Sequence, residues 1–322
     1  MPRVLLSSCC PNWPLLRQTP GSLGIWEDFE FVMGPSAEDV DACVVLDNPV
    51  SSMAVTCCPQ NTFFLSWEPP EIRTFNATFL NQFRWIQTCH PTGHPGLIES
   101  QQSHPWHVGV DSDHGFAPVL DYDALHAMPR PEKSGLISVA ISAKATTPAH
   151  RQRLEFVKHL KRRLGDQFHI YGRGHQSISD KWAALGNYRY HIAMENASRP
   201  NYITEKLSDA FLGHCFPFYF GAPNATDFFP EGSFQPIDIF NIDEAIEIIC
   251  DGIQSDLDVV RRHEAEAARL AVLDELNLFP MLVGLLREKM VQGPKQTFTV
   301  YPKKHRIKIG VSNLSRVFRK AA

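Results

Sequence analysis

The chain has 322 residues, 43% of them hydrophobic, which is too long for one ordinary domain and apolar enough for real cores, so two domains are expected. Its formal net charge of -4 excludes a duplex nucleic-acid binder, which needs a broad basic face to displace counterions. No segment approaches the roughly 20 apolar residues of a membrane span.

From the N-terminus, the apolar run Val4-Leu5-Leu6 is far shorter than a signal-peptide core and is broken by Pro11 and Asn12, so it predicts a first buried strand. Further short apolar runs at Ala42–Leu46 and Thr62–Trp67, set among Pro, Gly, Asp and Ser, predict more strands of an open sheet. The stretch Cys89–Pro131 is dense in His, Pro, Gly and Asp and predicts long loops ending in a linker at Met128–Lys133. Beyond it, strands at Leu136–Ser142, Phe168–Tyr171, Tyr190–Glu195 and Phe216–Phe220 are interleaved with helices over Ala149–Leu164, Ile203–Leu212 and Ile242–Gln254. That order predicts βαβ units and a parallel sheet, whose ligands bind beyond the carboxyl ends of the strands. One amphipathic helix over Asp256–Leu276 and another over Phe279–Met290 follow.

The tail Tyr301–Ala322 carries Lys303, Lys304, Arg306, Lys308, Arg316, Arg319 and Lys320 and no acid. It is either a solvated, frayed end or a weak attachment to an anionic membrane surface, at about 1 kcal/mol per basic residue. The eight cysteines show neither zinc nor redox-dithiol spacing and are expected to be buried thiols of a reducing cytoplasm. The adjacent pairs Cys9-Cys10 and Cys57-Cys58 are expected at strand ends with their side chains pointing apart.

The chemistry concentrates where a strand ends in Glu195-Asn196 and, after a short loop, Tyr202-Ile203-Thr204-Glu205-Lys206 opens a helix. A helix N-terminus offers unpaired N–H donors and a partial positive charge, which suit a diphosphate. Lys206 adds a full charge, and Glu205 is suited to accept hydrogen bonds from ribose or sugar hydroxyls. Taken alone, Glu205-Lys206 is an ordinary charged helix start.

Its surroundings resemble the α-1,3/1,4-fucosyltransferase family, glycosyltransferase family 10 in its bacterial form. The match runs in order through Tyr188-Arg189-Tyr190, Glu195-Asn196, Tyr202–Lys206, Phe216-Pro217, Phe220-Gly221, Phe229-Pro230, Ser233-Phe234 and Asp243–Ile246. The resemblance implies an α/β chain of GT-B fold: two Rossmann-like domains facing a central cleft, an acceptor domain over 1–130, a GDP-fucose domain over 131–295 and a basic tail over 296–322. It implies transfer of L-fucose from GDP-fucose to a hydroxyl of an oligosaccharide or lipid-linked glycan in α-1,3/1,4 linkage, with inversion. Tyr202, Thr204, Glu205, Lys206, Glu195 and Asn196 fall on donor positions, and Arg173 resembles the family's basic residue facing the diphosphate. Ser142 and Arg153 match a phosphate-binding strand-helix unit. Ala143 departs from the family's Asn there, and Lys144 offers a replacement.

In the first half, Trp67-Glu68-Pro69-Pro70-Glu71 resembles a family strand ending in Glu-x-Pro. Glu68 is the expected general base, with Glu71 as substitute, and Trp67 and Glu71 are the expected acceptor contacts. Asp111-Ser112-Asp113 has the form of a metal-holding transferase motif, but it resembles the family's Asp-Ser-Asp at the end of the acceptor domain and is expected to be structural. The histidines at 90, 94, 104, 107, 114 and 126 follow no zinc-like spacing and are expected in loops and the acceptor cleft, so no metal or other cofactor is expected. The implied protein is cytoplasmic, with the tail at the inner membrane face. Use of another GDP-sugar, or a non-catalytic binding protein for a nucleotide sugar or glycan, are the rival expectations.

Overall fold

The computed structural model describes residues 1–34, 39–145 and 147–303. Of the basic tail, residues 304–322 lie outside the described residues.

The first domain is built on strands β1 (Arg3–Ser8), β2 (Ile25–Trp26), β3 (Phe29–Met33), β4 (Ala42–Leu46), β5 (Met53–Cys57), β6 (Thr62–Leu65), β7 (Trp85–Gln87) and β8 (Leu97–Ile98), with a short helix α1 (Ala77–Leu80). Seven of these form a sheet in the order β2-β3-β1-β4-β6-β7-β8, parallel except for the β2–β3 pair. All five residues of β4 are buried. A parallel strand covered on both faces reads as a continuous apolar run, and for that reason β4 stands out in the sequence.

The chain crosses to the second domain through a small hairpin, β9 (Val110–Asp111) with β10 (Ala117–Pro118), and helix α2 (Tyr122–Ala127). Most of residues 89–109 is irregular, but α2 occupies the end of the expected loop region, capped by Asp121 accepting from Ala124 N–H. The second sheet contains β11 (Gly135–Ala140), β12 (Phe168–Tyr171), β13 (Tyr188–Met194), β14 (Phe216–Phe220) and β15 (Gln235–Pro236) in the order β12-β11-β13-β14-β15, all parallel. Helices α3 (Pro148–Leu164), α4 (Glu205–Leu212) and α5 (Ile242–Gln254) connect and cover it. On one face, Ile137, Val139, Ile192 and Phe218 pack with Phe156 and Leu160 of α3 and Ile249 of α5. The other face packs Ala193 and Tyr219 with Leu207 and Phe211 of α4.

Two sequence expectations change here. The single helix expected over 256–276 is broken into α6 (Leu257–Val260) and α7 (Arg262–Asp274), with Arg261 leaving helical dihedrals. Arg189 reaches from β13 to Asp256 and Asp258 at its start, which ties the short turn to the sheet. The second change concerns the domain limits. Helix α8 (Leu278–Lys289) buries Leu278, Phe279, Leu282, Val283, Leu285 and Leu286 against Val4, Leu6, Val44 and Phe63 of the first sheet. Strand β16 (Gln296–Val300) then pairs antiparallel with β5, Phe298 opposite Val55. Residues 278–300 therefore belong by packing to the first domain, because the faces of the second sheet are already covered. The expected limits 131–295 and 296–322 cut across this return.

Candidate active site

β13 delivers Glu195 to the carboxyl edge of the second sheet, where its N–H donates to Phe220 O at 2.8 Å. Its carboxylate, 0% exposed, accepts Thr204 N–H at 2.8 Å and the Thr204 hydroxyl at 2.6 Å. Thr204 is the N-cap of α4 and accepts from Lys206 N–H at 3.4 Å. Lys206 Nζ lies 3.1 Å from Glu205 Oε1 and 3.4 Å from Glu195 Oε2. A buried carboxylate thus occupies the positive end of the helix. Gly221 makes room for it, since a Cβ there would stand 2.6 Å from Glu195 Cγ.

This corrects one expectation: the helix start is not an open cradle for a diphosphate, because Glu195 already fills it. Burial works against the Lys206 charge, but Glu205 and Glu195 raise its pKa above the ordinary lysine value. Burial likewise opposes the charge on Glu205, yet Lys206, His107, Lys181 and His104 hold it well below the usual carboxylate range. Glu195 is pushed up by burial, with Lys206 opposing.

Across from this cluster lie the carboxyl ends of β1, β4 and β6. Asp47, with φ 66°, accepts Trp67 N–H at 3.4 Å, pairs with Arg73 and takes a contact from Cys9 Sγ at 3.6 Å. It thereby fixes the segment that carries Glu68. His90 Nε2 is 2.7 Å from Glu68 O and His104 Nε2 bonds Trp67 O, holding the same segment from behind. The Glu68 carboxylate takes part in none of the hydrogen bonds or ion pairs found among the described residues. Burial raises its pKa; Lys206 opposes this, and Asp47 and Glu205 add to it.

A cavity of about 540 Å³ joins the two halves. Trp67, Glu68, Asn196, Tyr202, Thr204, Glu205 and Lys206 all line it. It is also lined by Cys9, Cys10, Trp13, Asp47, Arg73, His104, His107 and Phe116. His104 Nδ1 and His107 Nδ1 face Glu205 at 3.8 and 3.9 Å, and burial pushes His104 down to about 4. Among these additions, only the polar character of the histidine-rich loop gave any sequence signal.

The remaining expected residues lie elsewhere. Glu71 does not line the cavity; its carboxylate pairs with Arg199 at 2.6 Å, a bridge from the first domain to the second. Arg153 is buried on α3 and donates to Met194 O at 3.1 Å, so it sits beneath the cluster and not on its surface. Ser142, Lys144 and Arg173 stand at the ends of β11 and β12, where Ala143 N–H donates to Arg173 O at 2.8 Å. Lys144 and Arg173 are exposed there, outside the lining of the cavity. Asp111 accepts from Asp113 N–H at 2.9 Å and faces His114 Nδ1 at 2.7 Å, a local turn. No group of three His, Cys, Asp or Glu side chains arranged for a metal occurs among the described residues. The Cys9 and Cys10 side chains do not point apart. The chain turns after β1, with Trp13 N–H donating to Cys10 O at 3.0 Å, and the two Sγ atoms stand 3.8 Å apart.

Two parallel α/β domains that meet across a cleft at their strand ends define the GT-B fold. The fold agrees with that of an α1,3-fucosyltransferase crystallised with GDP-fucose, at a TM-score of 0.50 over 90% of each chain and 15% identity. Residues 130–262 match the model of glycosyltransferase family 10 (fucosyltransferase), C-terminal part. Among curated relatives, the α-(1,3)-fucosyltransferase FucT of Helicobacter pylori is 36% identical over 74 residues, covering 23% of this chain and 16% of the relative. The α-(1,4)-fucosyltransferase of Arabidopsis thaliana is 42% identical over 50 residues, 16% of this chain and 12% of the relative. The matched segment thus spans less than a fifth of either relative.

Proposed function

We propose that the chain transfers L-fucose from GDP-fucose to a hydroxyl of a glycan, by a single displacement with inversion and without a required metal ion. The observation that carries the proposal is that one cleft holds a half-buried Glu68, its carboxylate outside the hydrogen bonds and ion pairs found among the described residues, from the first domain and the Tyr202, Glu205 and Lys206 cluster from the second. The family match of residues 130–262 and the fucosyltransferase relatives support the donor class.

In this scheme the Glu68 carboxylate takes the proton of the acceptor hydroxyl, whose oxygen attacks the anomeric carbon as the bond to the GDP oxygen breaks. Burial gives Glu68 a higher proton affinity than a solvated carboxylate, which suits a base acting near neutrality. Lys206 meets the negative charge that develops on the departing diphosphate, with Lys144 and Arg173 at the neighbouring strand ends as further cations. Glu205, kept ionised by its neighbours, accepts hydroxyl hydrogen bonds of ribose or fucose. Glu195 and Arg153 act beneath the surface by positioning Thr204, the start of α4 and Lys206.

The acceptor lies on the first-domain side. Trp13 packs on His107 at 4.7 Å and on Phe116 at 5.3 Å between ring centroids, offering aromatic surface to the C–H face of a pyranose. The α-1,3/1,4 linkage follows the curated relatives, and a lipid-linked acceptor at a membrane surface rests only on the basic composition of the tail. Thermal-shift titrations with GDP-fucose, GDP-mannose, UDP- and CMP-sugars, followed by transfer assays on a glycan panel, test the donor. Stabilisation by GDP-fucose above the others supports the proposal; selective stabilisation by a UDP-sugar overturns it.

A further inference from the structure

Beside the cleft, the turn after β1 places two thiols within reach of each other. Cys10 is exposed and Cys9 half-buried, whereas Cys43, Cys57, Cys58, Cys215 and Cys250 are buried. Cys9 Sγ lies 3.6 Å from Asp47 Oδ2, and that carboxylate is paired with Arg73. The Cys9 thiol keeps its proton through its hydrogen bond to Cys10, with burial and the Asp47 charge adding to this, and the same hydrogen bond lowers Cys10 to about 7, burial and Asp47 opposing. A thiolate that is accessible, with a second thiol next to it, is the arrangement that oxidants attack selectively.

We propose that Cys9 and Cys10 form a hydroperoxide-responsive dithiol whose oxidation to a disulfide between adjacent residues reshapes the acceptor side of the cleft. The Cys10 thiolate attacks one oxygen of hydrogen peroxide, the O–O bond breaks, and sulfenic acid and hydroxide result. Cys9 sulfur then attacks Cys10 sulfur, and the sulfenic oxygen leaves as water with the Cys9 proton. In balance, two thiols are oxidised and one peroxide becomes two waters.

The product is a strained bond, because consecutive Cα atoms are about 3.8 Å apart while ordinary disulfides span about 4.4–6.8 Å. Strained, exposed disulfides are the readily reduced, regulatory kind. The ring is coupled to the cleft through the backbone of Cys10, whose N–H donates to Ser8 Oγ at 3.1 Å and whose O accepts Trp13 N–H at 3.0 Å. Closing it removes the Cys9 proton from Asp47 and re-aims Trp13. The effect on turnover rests on the transferase proposal; formation of the bond does not.

The test is peptide mapping of the full chain before and after hydrogen peroxide, with transfer rates taken in parallel. The peptide holding residues 9 and 10 should lose two hydrogens and regain them with dithiothreitol. Cys10→Ser should abolish this, and Cys9→Ser should let Cys10 go on to the sulfinic acid. The ratio of treated to untreated rate should fall in the parent chain and stay near one in Cys10→Ser. Retention of both thiols, or a disulfide formed with no change in that ratio, overturns the proposal. An untreated chain that transfers nothing counts against the transferase proposal, and the mass readout still decides whether the dithiol forms.

Discussion

Thr204 gives both its backbone N–H and its hydroxyl to the Glu195 carboxylate, at 2.8 and 2.6 Å. This one contact joins the end of β13 to the start of α4 and sets where Lys206 emerges. Glu195→Gln keeps the shape but replaces one acceptor oxygen with a donor that faces a donor. We expect a loss of about 1–3 kcal/mol in urea unfolding and weaker nucleotide binding by titration calorimetry. Unchanged values for both would show that the contact positions nothing.

Lys206 stands between two buried carboxylates, so Lys206→Met removes the only ammonium within 4.0 Å of either among the described residues. Leaving such charges unpaired costs about 3–5 kcal/mol. The deficit should shrink as pH falls and the carboxylates protonate. Denaturant midpoints at several pH values give the check, and a deficit independent of pH would contradict the pairing. GDP affinity should fall as well.

Trp13 offers ring surface on the first-domain side of the cleft. Trp13→Ala should raise the acceptor KM while leaving GDP-fucose binding near that of the parent. A loss confined to donor affinity would move the donor to the opposite wall.

Burial raises Glu68 first, with Lys206 and Arg73 opposing. A base must be ionised, so kcat/KM should fall on the acid side with a midpoint above the ordinary glutamate value of about 4.3. The stability effect has the opposite sense. A carboxyl whose folded pKa is raised contributes stability below its unfolded pKa and loses it as pH rises through the folded value. Glu68→Gln should therefore be more stable than the parent at neutral pH, with the gain vanishing toward acid. A parent chain with no acid limb in its pH-rate profile, or no neutral-pH gain in the variant, would remove the case for a strained base.

The second domain was legible because its parallel strands are buried on both faces. Phe168–Tyr171, Phe216–Phe220 and the helix Ile242–Gln254 occur with the expected limits. The first domain was less so: β2, β7 and β8 are two or three residues long, and β5 finds its partner in β16 more than two hundred residues away. No local periodicity announces such a pairing. In the site, Tyr202 to Lys206 and Glu68 were visible as motifs, and Tyr202, Thr204, Glu205, Lys206 and Glu68 line one cavity. Trp13 and Asp47 were not, since each is an ordinary residue in an irregular segment until the sheet ends bring them together. Glu71 and Arg153 looked equivalent to their neighbours in sequence, and only the Arg199 pair and the burial beneath Met194 distinguish them.

The central claim is that Glu68 removes the acceptor proton while Glu71 serves a bridge to Arg199. Parallel measurement of fucosyl transfer and GDP-fucose affinity in Glu68→Gln and Glu71→Gln tests it most directly. The account predicts that transfer is lost by a factor of about 10²–10⁴ in the first variant, with donor affinity retained, and that the second stays close to the parent. Near-normal turnover in Glu68→Gln, with activity lost instead in Glu71→Gln, would contradict it.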